Sequence, residues 1–304
     1  MDAEAGVVVL VATYRRNREL SRLLKALEAS EVRVTGMVVA DNGADPACRE
    51  VVDSAAWPQV YLALPENQGC GAGLHAAELA ALEQFPHAAY WWILDDDVVP
   101  PPTALGRLRE ALDQTGGGMS VPLLIDERGK VWAFPEPAEP RLRRVFRQTD
   151  VPEEVEARLG RGPHAACWAT GACQLVRTKA AQDVGLHRED FWMLGEDLEY
   201  SMRMANGPGL CFVTDVLVPH LPPPGVAETS NSEAWAARKF RALLQNLTYL
   251  AFHCPSQSRH LWRYVPGNYR RYFHTHGWAW PRWVEAAGCF WNGAVRGRPA
   301  GRHG

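Results

Sequence analysis

The stretch Tyr90-Trp91-Trp92-Ile93-Leu94-Asp95-Asp96-Asp97-Val98 passes from five apolar residues straight into three consecutive carboxylates. An apolar run bounded this way predicts a central strand of an α/β sheet, buried on both faces. Open α/β sheets bind their ligands beyond the carboxyl ends of the strands, which is where these acids fall. If strand geometry continues through them, alternation places Asp95 and Asp97 on one face and Asp96 on the other. Adjacent carboxylates repel one another until something positive neutralises them, and a same-face pair suits one hard cation. The plainer alternative is a solvated acidic turn capping a helix that starts near Pro101-Pro102-Thr103.

Toward the N-terminus, Val7-Val8-Val9-Leu10-Val11-Ala12 predicts a buried parallel strand, followed by Thr13-Tyr14-Arg15-Arg16-Asn17 and an amphipathic helix from Arg18 to Ala29. The turn lacks the GxGxxG of dinucleotide-binding folds. Thr13 and Arg16 are placed to meet a nucleotide there, or else only to cap the helix. A second strand, Gly36 to Ala40, ends in Asp41-Asn42-Gly43, where Asp41 can accept a hydrogen bond from a base imide or a ribose hydroxyl. A helix over 46–56 leads to a third strand, Val60 to Leu64. Then Glu66-Asn67-Gln68-Gly69-Cys70-Gly71-Ala72-Gly73 opens a helix reaching Gln84. Alternate glycines permit close backbone approach, and a helix N-terminus favours anions such as a diphosphate.

Composition sets the outer limits. With 304 residues, 47% hydrophobic and 22% charged, the chain can bury a full core. A net charge of −3 argues against a nucleic-acid-binding surface. The seven cysteines show no CxxC pair or zinc-ligand spacing, which points to reduced thiols and a cytoplasmic setting. Met1-Asp2-Ala3-Glu4 lacks the basic region of a signal peptide, and no apolar run reaches the roughly 18 to 20 residues that span a bilayer.

In order, Val11-Ala12-Thr13-Tyr14, Ala40-Asp41-Asn42-Gly43, Glu66 to Gly73 and Leu94-Asp95-Asp96-Asp97-Val98 resemble the inverting family 2 glycosyltransferases of the GT-A fold. They are most similar to the branch containing galactofuranosyl- and rhamnosyltransferases. The resemblance implies an α/β GT-A domain with a mixed central sheet. It implies that Asp41 and Asn67 hold the nucleoside, with Thr13, Arg16, Gly69, Gly71 and Asp96 also on the donor side. Asp95 and Asp97 would be the DxD pair that bridges a divalent cation, Mn²⁺ or Mg²⁺, to the donor diphosphate. The donor would be a nucleotide-diphospho-sugar, most simply UDP-linked, and dTDP-rhamnose is the alternative within that branch.

Further along, a helix from Thr103 to Gln114 and strands Met119 to Ile125 and Lys130 to Phe134 precede a proline-rich, arginine-rich excursion over 135–163. Cys167 to Arg177, read as one strand, resembles the family's strand beside the acceptor, which implies acceptor contacts from Gly171 and Trp192. Asp190 to Arg203 opens a helix. Carboxylates at a helix N-terminus are stabilised by its dipole, which alone explains Glu196 and Asp197. The family carries a general base in such a motif, and the resemblance assigns that role to Asp197 with Glu196 beside it. His220, 23 positions later, falls where galactofuranosyltransferase-like members place a histidine that completes the metal site; alone it would be read as structural.

Pro222-Pro223-Pro224-Gly225 marks a boundary between a catalytic domain over 1–225 and a helical extension over 226–304. The extension holds eleven Lys and Arg against three acids, a net +8, together with six tryptophans. That composition suits a membrane surface or a lipid-linked acceptor, and equally a helical lid; glycan and small-molecule acceptors also fit. A sugar-nucleotide pyrophosphorylase would want a glycine-rich basic loop after the first strand, and a non-catalytic glycan-binding relative has no need for both acid clusters. Neither alternative matches as well.

Overall fold

The computed structural model describes residues 6–133, 135–222, 233–254 and 261–296. The first half is a run of β-α units: β1 (Val7–Thr13), α1 (Asn17–Glu28), β2 (Gly36–Asp41), α2 (Pro46–Asp53), β3 (Gln59–Ala63), α3 (Cys70–Gln84) and β4 (Tyr90–Leu94). There follow α4 (Ala104–Thr115), β5 (Met119–Ile125), β6 (Val131–Ala133), β7 (Glu136–Pro137), α5 (Arg143–Phe146) and α6 (Pro152–Leu159). β8 (Pro163–Trp168), β9 (Cys173–Arg177), α7 (Thr178–Val184), α8 (Glu196–Asn206) and β10 (Leu210–Pro219) complete the sheet region. Three further helices are α9 (Glu233–His253), α10 (Tyr264–His276) and α11 (Trp280–Val295).

One mixed sheet runs in the order β3-β2-β1-β4-β9-β5-β10-β8-β7, with β6 paired on β5. β1 to β4 are mutually parallel, and the register sets Thr13 opposite Asp41 and Val11 opposite Leu94. The polar ends of three strands are thereby brought to one edge. Alternation explains the paired tryptophans of β4. Trp92 joins Val9, Met37 and the leucines of α1 and α4 on one face, while Trp91 joins Leu10, Val38 and the alanines of α3 on the other. Both indoles are fully buried, so the apolar run was spent on two cores at once.

Several expectations are corrected. β4 ends at Leu94, and Asp95 to Val98 form a turn beyond it, because the acids pair with side chains of neighbouring loops instead of continuing a ladder. The stretch 167–177 is two strands lying apart in the sheet, β8 and β9, joined by a turn over 169–172. The excursion over 135–163 contains β7, α5 and α6. β10 runs continuously through a bulge between Val213 and Leu217. The boundary at residue 225 lies outside the described residues. The C-terminal helices build their own clusters, and one of these includes Phe191 and Met202 from the sheet region.

Candidate active site

Asp96 anchors the acidic turn. Its Oδ2 accepts from Thr13 Oγ1 at 2.6 Å and its Oδ1 from Arg16 at 3.0 Å, and the same guanidinium reaches Asp97 Oδ2 at 2.8 Å. In this structure Thr13 and Arg16 therefore hold the turn itself. From the other side the end of β10 zips onto it: Val99 N donates to Pro219 O at 2.9 Å and Leu221 N to Asp97 O at 2.8 Å. This brings His220 Nε2 to 3.2 Å from Asp97 Oδ1. Trp132 of β6 stacks on the imidazole with centroids 4.0 Å apart. Nothing in the sequence flagged Trp132, since the pairing depends on β6 and β10 both flanking β5.

Ligand atoms of Asp95, Asp97 and His220 all lie within 4.8 Å of one another. The expected trio is thus brought together, although by a turn and a neighbouring strand and not by alternation along β4. The donor set of two carboxylates and one imidazole suits Mn²⁺ or Mg²⁺. Two observations fit a cation. His220 Nδ1 is buried without a hydrogen-bond partner, and Asp97 Oδ1 is buried with only the 3.2 Å approach of His220 Nε2. Burial, then the charges of Asp97 and Asp96, push Asp95 up to about 7, as expected of negative charge lacking a counter-ion. Burial likewise lifts Asp96 to about 6, with Arg16 offsetting only part of it. For Asp97 burial is outweighed by His220 and Arg16, so it stays below the usual carboxylate range.

The second acid pair begins α8. Asp197 is part-exposed; its Oδ2 accepts from Gly171 N at 3.0 Å and its Oδ1 from Leu198 N at 2.8 Å. The approach is close enough that a Cβ on Gly171 would stand 2.8 Å from that of Asp197. Asp95 N donates to Ala172 O at 2.9 Å, so one turn, 169–172, touches both acid clusters. Glu196 is buried, with Oε2 unpartnered. Burial and then the charge of Asp197 push it up to about 8. Burial raises Asp197 too, against the pull of the Leu198 and Gly171 N–H groups. Among the five acids only Asp95 and Asp197 keep appreciable exposure, which makes them the pair that can meet a substrate.

The nucleoside-side residues divide. Asp41 is fully buried: Oδ1 accepts from Gly43 N at 2.9 Å, and Oδ2 from Asp45 N and Tyr61 Oη, each at 2.7 Å. In this structure it organises its own turn. A Cβ on Gly69 would lie 1.9 Å from Trp192 O, and one on Gly71 2.3 Å from Phe191 O. Cys70 N already donates to that Trp192 carbonyl at 2.9 Å. In this structure the close approach is to the chain's own loop over 188–192. Asn67 remains part-exposed, its Oδ1 accepting from Gly69 N at 3.0 Å. Asn42 staples β2 to this loop, accepting from Gln68 N at 3.2 Å and donating to Gly69 O at 3.3 Å. Trp192 lies beside Asn67, with its indole N–H 3.5 Å from the Asn67 carbonyl, and carries Arg238 of α9 over its ring at 4.2 Å.

Sheet order, an acidic turn beyond β4 and a second carboxylate pair facing it define a transferase domain of GT-A architecture. The model of the glycosyltransferase-like family 2 matches residues 5–243, and the chain belongs to that family. No curated protein matches it in sequence. Among solved structures, S. aureus TarS is similar with a TM-score of 0.62 at 12% identity, over 96% of this chain and 49% of that one. TarS 1-349 in complex with UDP-GlcNAc gives 0.60 at 13% identity, over 95% and 81%. GalNAc-T7 with UDP, GalNAc and Mn²⁺ gives 0.56 at 14%, over 86% and 55%. The chain spans about half the length of full TarS. At these identities the likeness is one of fold.

Proposed function

We propose that the chain is a metal-dependent, inverting glycosyltransferase that moves a sugar from a nucleotide-diphosphate donor, UDP-linked, to a hydroxyl of a glycan, lipid-linked or small-molecule acceptor. The observation that carries this reading is Asp197, part-exposed and fixed by two backbone N–H groups beside the Asp95-Asp97-His220 cluster. An acceptor hydroxyl is too weakly acidic to attack unaided, so a positioned carboxylate must take its proton as the new bond forms. In an inverting displacement the acceptor oxygen bonds to the anomeric carbon as the bond from that carbon to the diphosphate breaks. The hydroxyl proton goes to Asp197, and the elevated affinity of this carboxyl for protons suits the task.

Asp95, Asp97 and His220 would hold a Mn²⁺ or Mg²⁺ ion, whose chemistry is to stabilise charge on the departing diphosphate. Thr13, Arg16 and Asp96 keep the turn in place on the donor side; Asp41 and Asn67 would meet the nucleoside, with Gly69 and Gly71 beside the donor. Trp192 and Gly171 line the acceptor side, where Arg238 over Trp192 suits an anionic or glycan group. The bound UDP-GlcNAc of TarS and the UDP and Mn²⁺ of GalNAc-T7 support the donor and metal readings. The histidine 23 positions after Asp197 supports the galactofuranosyl-like branch. All seven cysteines are unpaired, which supports a cytoplasmic setting. Incubation with a panel of UDP-, dTDP- and GDP-sugars plus Mn²⁺ tests the reading: slow release of nucleoside diphosphate is expected from one donor. Pyrophosphate release, or no turnover of any donor or donor–acceptor pair, would overturn it.

A further inference from the structure

Helix α11 is built inside out for a water-facing helix. Its packed side is made of small residues, Ala286, Cys289 and Gly293. Gly293 lets it close on α9, where an added Cβ would sit 2.4 Å from Gln245 O. Four of its large side chains point outward: Trp280 and Trp291 are 77% and 67% exposed, and Val284 and Val295 are also exposed, while Trp283 packs in part on Phe273 and Phe290 on Phe252 and Tyr269. The helix carries two charges, Arg282 and Glu285, which pair with each other at 3.0 Å. A surface helix in water shows the opposite arrangement, with its apolar stripe turned to the core.

The flanking surface is cationic. Arg263, Arg270 and Arg271 of the α10 region are exposed. Glu285 is the one acid described over 261–296, and Arg241, Arg282 and the Tyr272 hydroxyl hold it. Arg270 leads through His274, 3.4 Å away, to Trp278, whose ring stands edge-on to that imidazole at 5.8 Å. Tryptophans bordered by arginines with no free acid complement an anionic lipid surface, where indoles settle at the headgroup boundary. A two-fold contact between copies through this face would bring together two surfaces of like positive charge. No helix of the described residues is long and apolar enough to cross a membrane, so α11, about 24 Å long, would lie in the plane of the interface.

We propose that the outward face of α11, with the arginines of α10, docks the protein onto an anionic membrane surface. The docked helix is tied to the candidate site: Arg296, just past its end, lies 3.3 Å from Asp190 and donates to Asn246 Oδ1 at 3.0 Å. Asn246 in turn donates to the carbonyls of Met193 and Leu194, immediately before Glu196. A lipid-linked acceptor follows as a corollary and rests on the transferase reading; the docking does not.

The test is sedimentation of the full chain with phosphatidylcholine vesicles, with and without phosphatidylglycerol, over a salt series. The expected result is partitioning onto the anionic vesicles that falls as salt rises. Trp280→Ser with Trp291→Ser should weaken it by about tenfold or more, and Arg270→Glu with Arg271→Glu should remove the preference for anionic lipid. Melting temperature and donor hydrolysis should stay unchanged in both, so a failure of docking is separable from a failure of the transferase reading. Absent partitioning, or partitioning that both double variants retain, would overturn the proposal. So would a dimer in light scattering that the tryptophan variant breaks while vesicles leave it intact, which would make the face a contact between copies.

Discussion

Replacing Asp197 by asparagine isolates proton transfer from everything else the residue does. The carboxylate accepts from two backbone N–H groups, at 3.0 Å from Gly171 and 2.8 Å from Leu198. Asparagine has one carbonyl oxygen, so it keeps one of these bonds and turns its NH₂ toward the other donor. Losing a bond to a charged acceptor costs about 1.5 to 3 kcal/mol. Against that, burial already penalises the charge, and a neutral amide relieves it. The two effects are of similar size, so stability should change by about 1 kcal/mol in either direction, a few degrees in melting temperature at most. Turnover should fall by about 10² to 10⁴, the usual contribution of a positioned base. The rise of rate with pH through the elevated pKa of Asp197 should vanish with it. Transfer rate, donor affinity and melting temperature should be measured on one preparation. Near-normal transfer with an unchanged pH profile would refute the assignment and leave Asp197 as the residue that joins α8 to the turn over 169–172.

Asp97→Asn should abolish divalent-ion dependence and turnover while the fold survives, checked by activity against added Mn²⁺ and by circular dichroism; full activity in EDTA would exclude a metal. Trp132→Ala removes the ring stacked on His220 and should weaken metal affinity severalfold, read by titration calorimetry, with little change in melting temperature because Trp132 is half exposed. Burial alone would raise Glu285, yet hydrogen bonds from Tyr272, Arg241 and Arg282 bring it to about 2 from an ordinary 4.5. A depressed carboxylate contributes stability above its unfolded pKa that is lost as pH falls between those values. The loss should be about 2 kcal/mol after discounting for partial exposure, and Glu285→Gln should flatten acid-unfolding curves in that window. Asn246→Ala strips the partners from the carbonyls of Met193 and Leu194; it should cost about 2 kcal/mol and lower kcat while donor affinity, measured by calorimetry, holds.

The parts of the fold that could be read in advance are those encoded locally. β1, β2 and β4 are apolar runs bounded by polar turns, and Asp95, Asp97 and Asp197 stand at element ends. What could not be read depends on partners distant in the chain. The turn over 169–172 is Ala169-Thr170-Gly171-Ala172, as apolar as the strands around it. Only the bonds from Ala169 to Ser201 and from Gly171 to Asp197 reveal it as a turn. Gly69 and Gly71 carry the pattern of an anion loop, but the oxygens they approach belong to residues more than 110 positions away in the sequence. An acid at a strand end such as Asp41 reads alike whether it faces a base or closes its own turn, and its bonds to Gly43, Asp45 and Tyr61 come only with the fold.

The helical extension belongs to the candidate site as much as the sheet does. Leu194 has φ +64 and Gly195 φ +102, so the chain enters α8 through two successive left-handed residues. Leucine occupies that region only when its surroundings over-determine it. Here the constraint comes from α9: Asn246 holds the carbonyls of Met193 and Leu194 at 3.1 and 2.8 Å, and Asn246 and Leu250 crowd Gly195. Asparagine serves because its NH₂ bridges both carbonyls while its oxygen accepts from Arg296. Without that clamp, Leu194 would relax toward negative φ and rotate the start of α8, moving Glu196 and Asp197 away from Gly171 and Asp95. The position of Asp197 therefore depends on a residue 49 places further on, in a helix outside the sheet.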